Sequence, residues 1–121
     1  MRKKDNISNL LHELFATDQS YYAKQIPDGN YTKSPGLVTP ERIKDCLVDA
    51  DSMAVYQKNK DATIKWICFD FDVLKHHLGE DSYSEAREEL NQAVKAFCTS
   101  LEKFAIPYLL EFSGNRGFHV W

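Results

Sequence analysis

The sequence predicts an α+β fold, an antiparallel sheet with helices packed on one face. Three observations predict it. The run Trp66-Ile-Cys-Phe-Asp-Phe-Asp72 reads as an apolar strand ending in two carboxylates. From Tyr83 to Phe104, the apolar residues Ala86, Leu90, Ala93, Val94, Phe97 and Leu101 form one stripe at helical spacing, with acids early and lysines late. Finally, Leu109 to Trp121 runs from an apolar strand through Ser113 and the turn Gly114-Asn115-Arg116-Gly117 into a second apolar strand carrying His119. Helices and strands intermixed without strict alternation belong to the α+β class.

The chain has 121 residues, which suits one domain over 1–121, and its composition is 43% hydrophobic and 12% aromatic, enough to bury a core. With a net charge of −3, contact with nucleic acid has to come from local basic patches rather than a global field. Cys46, Cys68 and Cys98 are widely spaced and odd in number, without a Cys-x-x-Cys pair, so reduced thiols are expected rather than a disulfide framework or a zinc knuckle. No apolar run approaches the ~18 residues of a membrane span, and Met1-Arg-Lys-Lys4 leads into an amphipathic rather than a signal-like stretch. A cytoplasmic location without membrane contact is the expectation.

Residues 1–36 are expected to be a helix followed by a loop region. Ile7, Leu10, Leu11, Leu14 and Phe15 mark a packing helix over Asn6 to Ala16, with Asn6 or Ser8 as its cap. From Asp18 to Gly36, the Pro27-Asp-Gly29 and Pro35-Gly36 signals predict a loop with short extended pieces. Its tyrosines Tyr21, Tyr22 and Tyr31 either pin that loop or, interleaved with Lys24 and Lys33, stack bases of a single strand. Thr39-Pro40-Glu41 opens a helix to about Leu47 or Val48: Thr39 is the N-cap and Pro40 the first helical residue. Ser52 to Tyr56 reads as a strand, and Lys58-Asn-Lys-Asp61 as the turn of an antiparallel hairpin whose second strand carries Asp70 and Asp72. Val73 to Ser82 reads as a loop with room for one helical turn. The adjacent His76 and His77 within it suggest a metal, but neighbours in sequence rarely ligate one ion.

In an extended strand Asp70 and Asp72 share one face, while Ile67, Phe69 and Phe71 fill the other. Their Cβ atoms then lie roughly 6–7 Å apart, close enough for both carboxylates to converge on a divalent ion. Two like charges on one strand cost stability unless a cation or solvent offsets them, so removing either should hold or raise stability. The turn after Ser113 has the makings of an anion cradle. Its glycines allow positive φ and close backbone approach, Ser113 offers a hydroxyl, Arg116 a planar fork and His119 a further donor. A strand end reaching solvent and an ordinary hairpin with an exposed Arg are the plain readings of the same two stretches.

Asp70-x-Asp72 on a hydrophobic strand, followed after a helix by Ser113-Gly114-x-Arg116-Gly117-x-His119 at the start of another strand, resembles the archaeo-eukaryotic primase superfamily. It covers two of that family's three motifs and is most similar to the primase-polymerases of bacterial mobile-element and defence systems, which Tyr31 to Tyr56 also resembles. The resemblance implies an RRM-like catalytic core and a nucleotidyltransferase that makes or extends primers on a single-stranded DNA template. It implies Mg²⁺ or Mn²⁺ on Asp70 and Asp72, and nucleoside triphosphate phosphates held by Ser113, Arg116 and His119, with Gly114 and Gly117 shaping the turn. Asn115 stands where many primases place another Arg. The family's third acid is expected on a later strand, so the sequence reads as the N-terminal part of a longer or split enzyme that alone binds metal and nucleotide weakly and does not polymerise, completed by a C-terminal half or a helicase or nuclease domain, with Glu111 the acid at hand should it be complete.

Two other classes fit parts of the pattern. Phe69-Asp-Phe-Asp-Val-Leu74 resembles the nucleophile loop of haloacid dehalogenase-type phosphohydrolases, with Asp70 as nucleophile, although Val73 and Leu74 depart from that pattern and a long segment precedes it. A non-catalytic nucleic-acid-binding or scaffold module would keep the sheet without the chemistry.

Overall fold

The computed structural model describes residues 2–75, 79 and 81–121. The expected histidine pair, His76 and His77, lies outside the described residues. The chain forms an α+β structure with two compact units, Met1–Ile67 and Cys68–Trp121. Each contains a three-stranded antiparallel sheet.

In the first unit α1 (Arg2–Phe15) is followed by β1 (Tyr21–Gln25), β2 (Tyr31–Pro35), α2 (Pro40–Asp49) and β3 (Met53–Ala54), with sheet order β2-β1-β3. The expected caps Asn6 and Ser8 are corrected: Lys3 and Lys4 are good helix formers and extend α1 back to Arg2. Ser8 then lies inside the helix, buried, with its hydroxyl donating to the Asp5 carbonyl at 3.0 Å. The expected loop from Asp18 to Gly36 is a β-hairpin with Tyr21 opposite Pro35 and Gln25 opposite Tyr31. Its turn is closed by Gly29 at φ +87° and by the Asp28 carboxylate, which accepts the Asn30 backbone N–H at 2.9 Å.

Thr39 caps α2 as its sequence requires, its hydroxyl accepting the Arg42 N–H at 3.2 Å. Ala16, Val38 and Ile43 form the buried centre of this unit, with Leu11, Tyr22, Met53 and Val55 packed against it. Tyr22 serves that core: its hydroxyl accepts from Arg42 Nη1 at 2.6 Å under a guanidinium 4.5 Å from its ring. Tyr21 meets Tyr56 edge to face at 4.8 Å, and the Lys33 ammonium lies 3.7 Å from its ring centre.

The expected hairpin joining Ser52–Tyr56 to the Asp70 strand does not form. β3 is two residues long and pairs with β1, Met53 opposite Lys24 and Ala54 opposite Ala23. The predicted turn instead closes locally, Lys58 bridging Ile64. Two sets of hydrogen bonds account for this. Asp61 accepts both the backbone N–H and the hydroxyl of Thr63, at 3.0 and 2.6 Å. Thr17, Asp18 and Gln19 occupy backbone groups of Tyr56, Lys60 and Lys58, at 3.1, 2.7 and 2.8 Å.

In the second unit β4 (Phe69–Asp72), α3 (Tyr83–Lys103), β5 (Leu110–Phe112) and β6 (Gly117–Val120) follow in sequence, with sheet order β4-β6-β5. β4 starts three residues later than expected because Trp66 is held elsewhere: its indole donates to the Phe15 carbonyl at 3.1 Å, and its own carbonyl accepts from Gln57 at 2.7 Å. β5 is likewise short of its expected start at Ile106. Leu109 and Trp121 exchange backbone hydrogen bonds of 3.0 and 2.9 Å, and Pro107 has no N–H to carry the ladder further. The α3 stripe buries Val94 and Cys98 against Val120, with Leu90, Phe97, Leu101, Phe71 and Phe118 around them. Phe97 packs against Phe69 and Phe71 at centroid distances of 4.8 and 5.3 Å. α3 therefore covers the aromatic face of the sheet, and the carboxylate side chains of β4 point to the opposite face.

Thr39→Ala removes a single cap bond and should destabilise the chain by about 1 kcal/mol, with Thr39→Ser restoring most of the loss. Urea denaturation measures this. Equal stability of the Ala variant and the parent would mean that the cap contributes nothing.

Candidate active site

β6 is the central strand of the second sheet, and its register assembles the site. Asp70 of β4 lies opposite His119, and Asp72 opposite Gly117. On the other side, Glu111 of β5 lies opposite the same His119. Asp70, His119 and Glu111 thus form a row across the face that α3 leaves uncovered, and Asp72 sits two residues along on the same face.

The turn between β5 and β6 is closed at both levels. Ser113 N–H donates to the Gly117 carbonyl at 3.0 Å, and Gly117 N–H donates to Ser113 Oγ at 3.1 Å. The hydroxyl accepts that bond and keeps its own proton for another partner. Gly114 turns at φ +86°, where a side chain would be strained. Gly117 is glycine for a different reason. A Cβ there would collide with the Phe71 carbonyl oxygen and Asp72 Oδ1, with the Phe71 carbonyl carbon only 2.8 Å away. The Arg116 carbonyl also accepts the Val73 N–H at 3.2 Å, fastening the turn to the end of β4.

The charges of the site are offset within the protein. Arg116 Nη2 lies 3.1 Å from Asp72 Oδ2, both side chains largely withdrawn from solvent. The expectation that removing Asp72 would relieve repulsion is thereby corrected, because Asp72 has a cationic partner. Asp70 is more open, its side chain 63% exposed, and faces His119 Nε2 at 3.8 Å. His119 Nδ1 is 3.0 Å from Glu111 Oε2, which also accepts the Trp121 indole N–H at 2.8 Å. Burial alone would push the Glu111 carboxyl up, but hydrogen bonds from His119 and Trp121 and the charge of His119 outweigh it and hold the carboxyl below its ordinary value. The Cys68 thiol is pushed up by burial and then by the charges of Asp70 and Glu111, which keeps it a thiol rather than a nucleophile.

Among the described residues no cluster of three or more His, Cys, Asp and Glu side chains forms a ready metal cage. The chemistry of the pair still fits a hard divalent ion. Mg²⁺ is commonly held by one or two carboxylates, with water and substrate phosphate completing its shell. Asp70 and Asp72 offer hard oxygens on one face, one of them open to solvent.

The structure brings Asp70, Asp72, Arg116, Gly117 and His119 together, with Ser113 and Gly114 in the adjoining turn. The sequence reading missed the pairing of Glu111 with His119 and the part of Trp121. The signal was present: a hairpin closed by Ser113 and Gly117 sets Phe112 opposite Phe118 and therefore Glu111 opposite His119.

These residues stand on an antiparallel sheet backed by one long helix, the frame of an α+β domain with an open acidic and basic face. The family model for the archaeo-eukaryotic primase domain of the TOTE conflict system matches residues 10–121, and the chain belongs to this family. Among curated proteins none matches it.

Gly117→Ala should force β4 and β6 apart and cost about 1–3 kcal/mol by overpacking. A chemical denaturation curve unchanged by this substitution would show that the two strands separate freely. A second outcome concerns acid. Because the Glu111 carboxyl titrates lower in the folded chain than in the unfolded one, its contribution to stability is complete above about pH 4.3 and is lost as pH falls through the lowered value. Glu111→Gln cannot titrate, so the stability gap between parent and variant should narrow as pH is lowered from 6 toward about 3. Urea midpoints measured across this range test it, and a constant gap would contradict it.

Proposed function

We propose that this domain is a primase-type nucleotidyltransferase, with an RRM-like catalytic core, that makes or extends primers from nucleoside triphosphates on a single-stranded DNA template. The observation that carries the reading is the common face of Asp70, Asp72, Arg116 and His119 beside the Ser113–Gly117 turn, in a chain of the archaeo-eukaryotic primase family. Asp70 and Asp72 would hold Mg²⁺ or Mn²⁺. A divalent ion there supplies charge neutralisation at the transferring phosphoryl group and lowers the pKa of the attacking hydroxyl.

The chain's own groups do the rest. Arg116 presents a planar fork of N–H donors that matches phosphate oxygens two at a time. The Ser113 hydroxyl, already accepting from Gly117, has a proton to donate toward phosphate. Gly114 and Gly117 carry no side chain to keep a triphosphate from the backbone of the turn. His119 adds a ring nitrogen on the same face as Asp70. Strand pairing fixes the backbones of Asp70, Asp72 and His119, and the turn's own hydrogen bonds fix Ser113 and Gly117, while the Arg116 guanidinium has to leave Asp72 to reach a phosphate.

Titration calorimetry with nucleoside triphosphate and Mg²⁺ or Mn²⁺, followed by a primer-synthesis assay on single-stranded DNA, tests the reading. Asp70→Ala should abolish metal-dependent triphosphate binding while leaving stability unchanged or slightly higher. Asp72→Ala should also abolish binding, but with a loss of up to about 1 kcal/mol because Arg116 is left without its partner. Metal-dependent binding by either variant at parental affinity would remove that carboxylate from the site. Arg116→Lys keeps the charge and loses the fork, and should weaken triphosphate binding about tenfold, the value of one charge-assisted hydrogen bond. Unchanged affinity would make Arg116 a partner of Asp72 alone.

A further inference from the structure

His119 is the middle of the row Asp70–His119–Glu111, and its two nitrogens meet different surroundings. Nδ1 is within hydrogen-bond distance of Glu111 Oε2, at 3.0 Å, whereas Nε2 stands 3.8 Å from Asp70 Oδ1, too far for a hydrogen bond. The Glu111 oxygen is held in place by a second donor, the Trp121 indole N–H at 2.8 Å. Indole nitrogen only donates, so Oε2 is fixed as an acceptor. The Trp121 and His119 rings meet edge to face, 5.6 Å between centroids, which limits rotation of the imidazole.

A ring nitrogen facing a carboxylate carries the proton, and the partner of one nitrogen decides what the other offers. We propose that Glu111, anchored by Trp121, is the positioning residue of His119: it accepts the Nδ1 proton, holds that tautomer, and leaves Nε2 on the Asp70 side as the unprotonated, accepting nitrogen. What Nε2 meets rests on the function proposed above; which nitrogen is held does not. A competing role for Glu111, as a third cation ligand beside Asp70 and Asp72, is disfavoured by position. Two strand spacings, roughly 9–10 Å, separate the β5 and β4 backbones with β6 between them. Oε2 is also already taken by two N–H donors.

The test is nitrogen-15 NMR of the purified chain labelled at histidine, at a pH where the imidazole is neutral, with the His119 signals assigned by their loss in His119→Ala. The parent should show the proton on Nδ1, and Glu111→Ala should move it to Nε2, the nitrogen that carries it in free histidine. Glu111→Gln should keep the Nδ1 proton, since its amide oxygen still accepts. Alongside, binding of Mg²⁺-ATP to the parent is measured by titration calorimetry. A proton on Nε2 in the parent overturns the inference, as does a tautomer unchanged in Glu111→Ala. The parent's tautomer decides by itself if the Ala variant does not fold. A parent with the Nδ1 tautomer that binds no Mg²⁺-ATP would leave the positioning intact and refute the proposed function.

Discussion

β4 and β6 approach each other at Gly117 more closely than any side chain permits, and the second unit depends on that approach. The missing Cβ lets the Phe71 carbonyl and the Asp72 carboxylate come up against the β6 backbone. The Arg116 carbonyl then receives the Val73 N–H, so the turn is fastened to the end of the neighbouring strand. Register follows, and register in a sheet decides which face each side chain takes. A slip of one residue in β6 would carry Phe118 and Val120 away from α3 and send His119 toward it. The same pairing thus sets the aromatic core under α3 and the charged row on the open face, and neither can shift without the other.

What the sequence made legible was local. The alternation in Phe69-Asp-Phe-Asp72 is enough to place the acids on one face and the aromatics on the other, because strand geometry leaves no alternative. The 83–104 stripe and the Thr39-Pro40 start were readable for the same reason: each rests on spacing within one element. The partner of β4 was not legible. Lys58-Asn-Lys-Asp61 is a sound turn signal, but its hydrogen bonds are consumed within a few residues by Asp61 and Thr63, and β4 finds its partner across the whole of α3. Chain proximity favours the nearer pairing, and only burial of Phe71 with Phe118 and Val120 against α3 selects the farther one.

The site was legible in its residue types and only partly in its connections. The spacing of Ser113, Arg116, Gly117 and His119 shows a turn with donors, yet nothing in it says that Arg116 is already engaged with Asp72 or that Ser113 Oγ already accepts from Gly117. Both are contacts of one chain segment with another or with its own turn, decided by side-chain reach. Two neighbouring carboxylates were expected to need an external cation or open water. The protein meets that need unequally, with a guanidinium for Asp72 and solvent for Asp70.

That inequality bears on how substrate would enter under the proposed function. A triphosphate that drew Arg116 to itself would leave Asp72 as an uncompensated carboxylate, largely withdrawn from solvent, and its affinity would be reduced by the cost of stranding that charge. Loss of Asp72 to another cation would strand Arg116 in the same way. A triphosphate arriving with its divalent ion would offer a replacement for both partners, phosphate oxygens for the guanidinium and a cation for Asp72, so that neither charge need be left unpaired. Under the proposed function, the Asp72–Arg116 pair would favour the metal-bound nucleotide over either component alone, by the same electrostatics that pair the two side chains with each other.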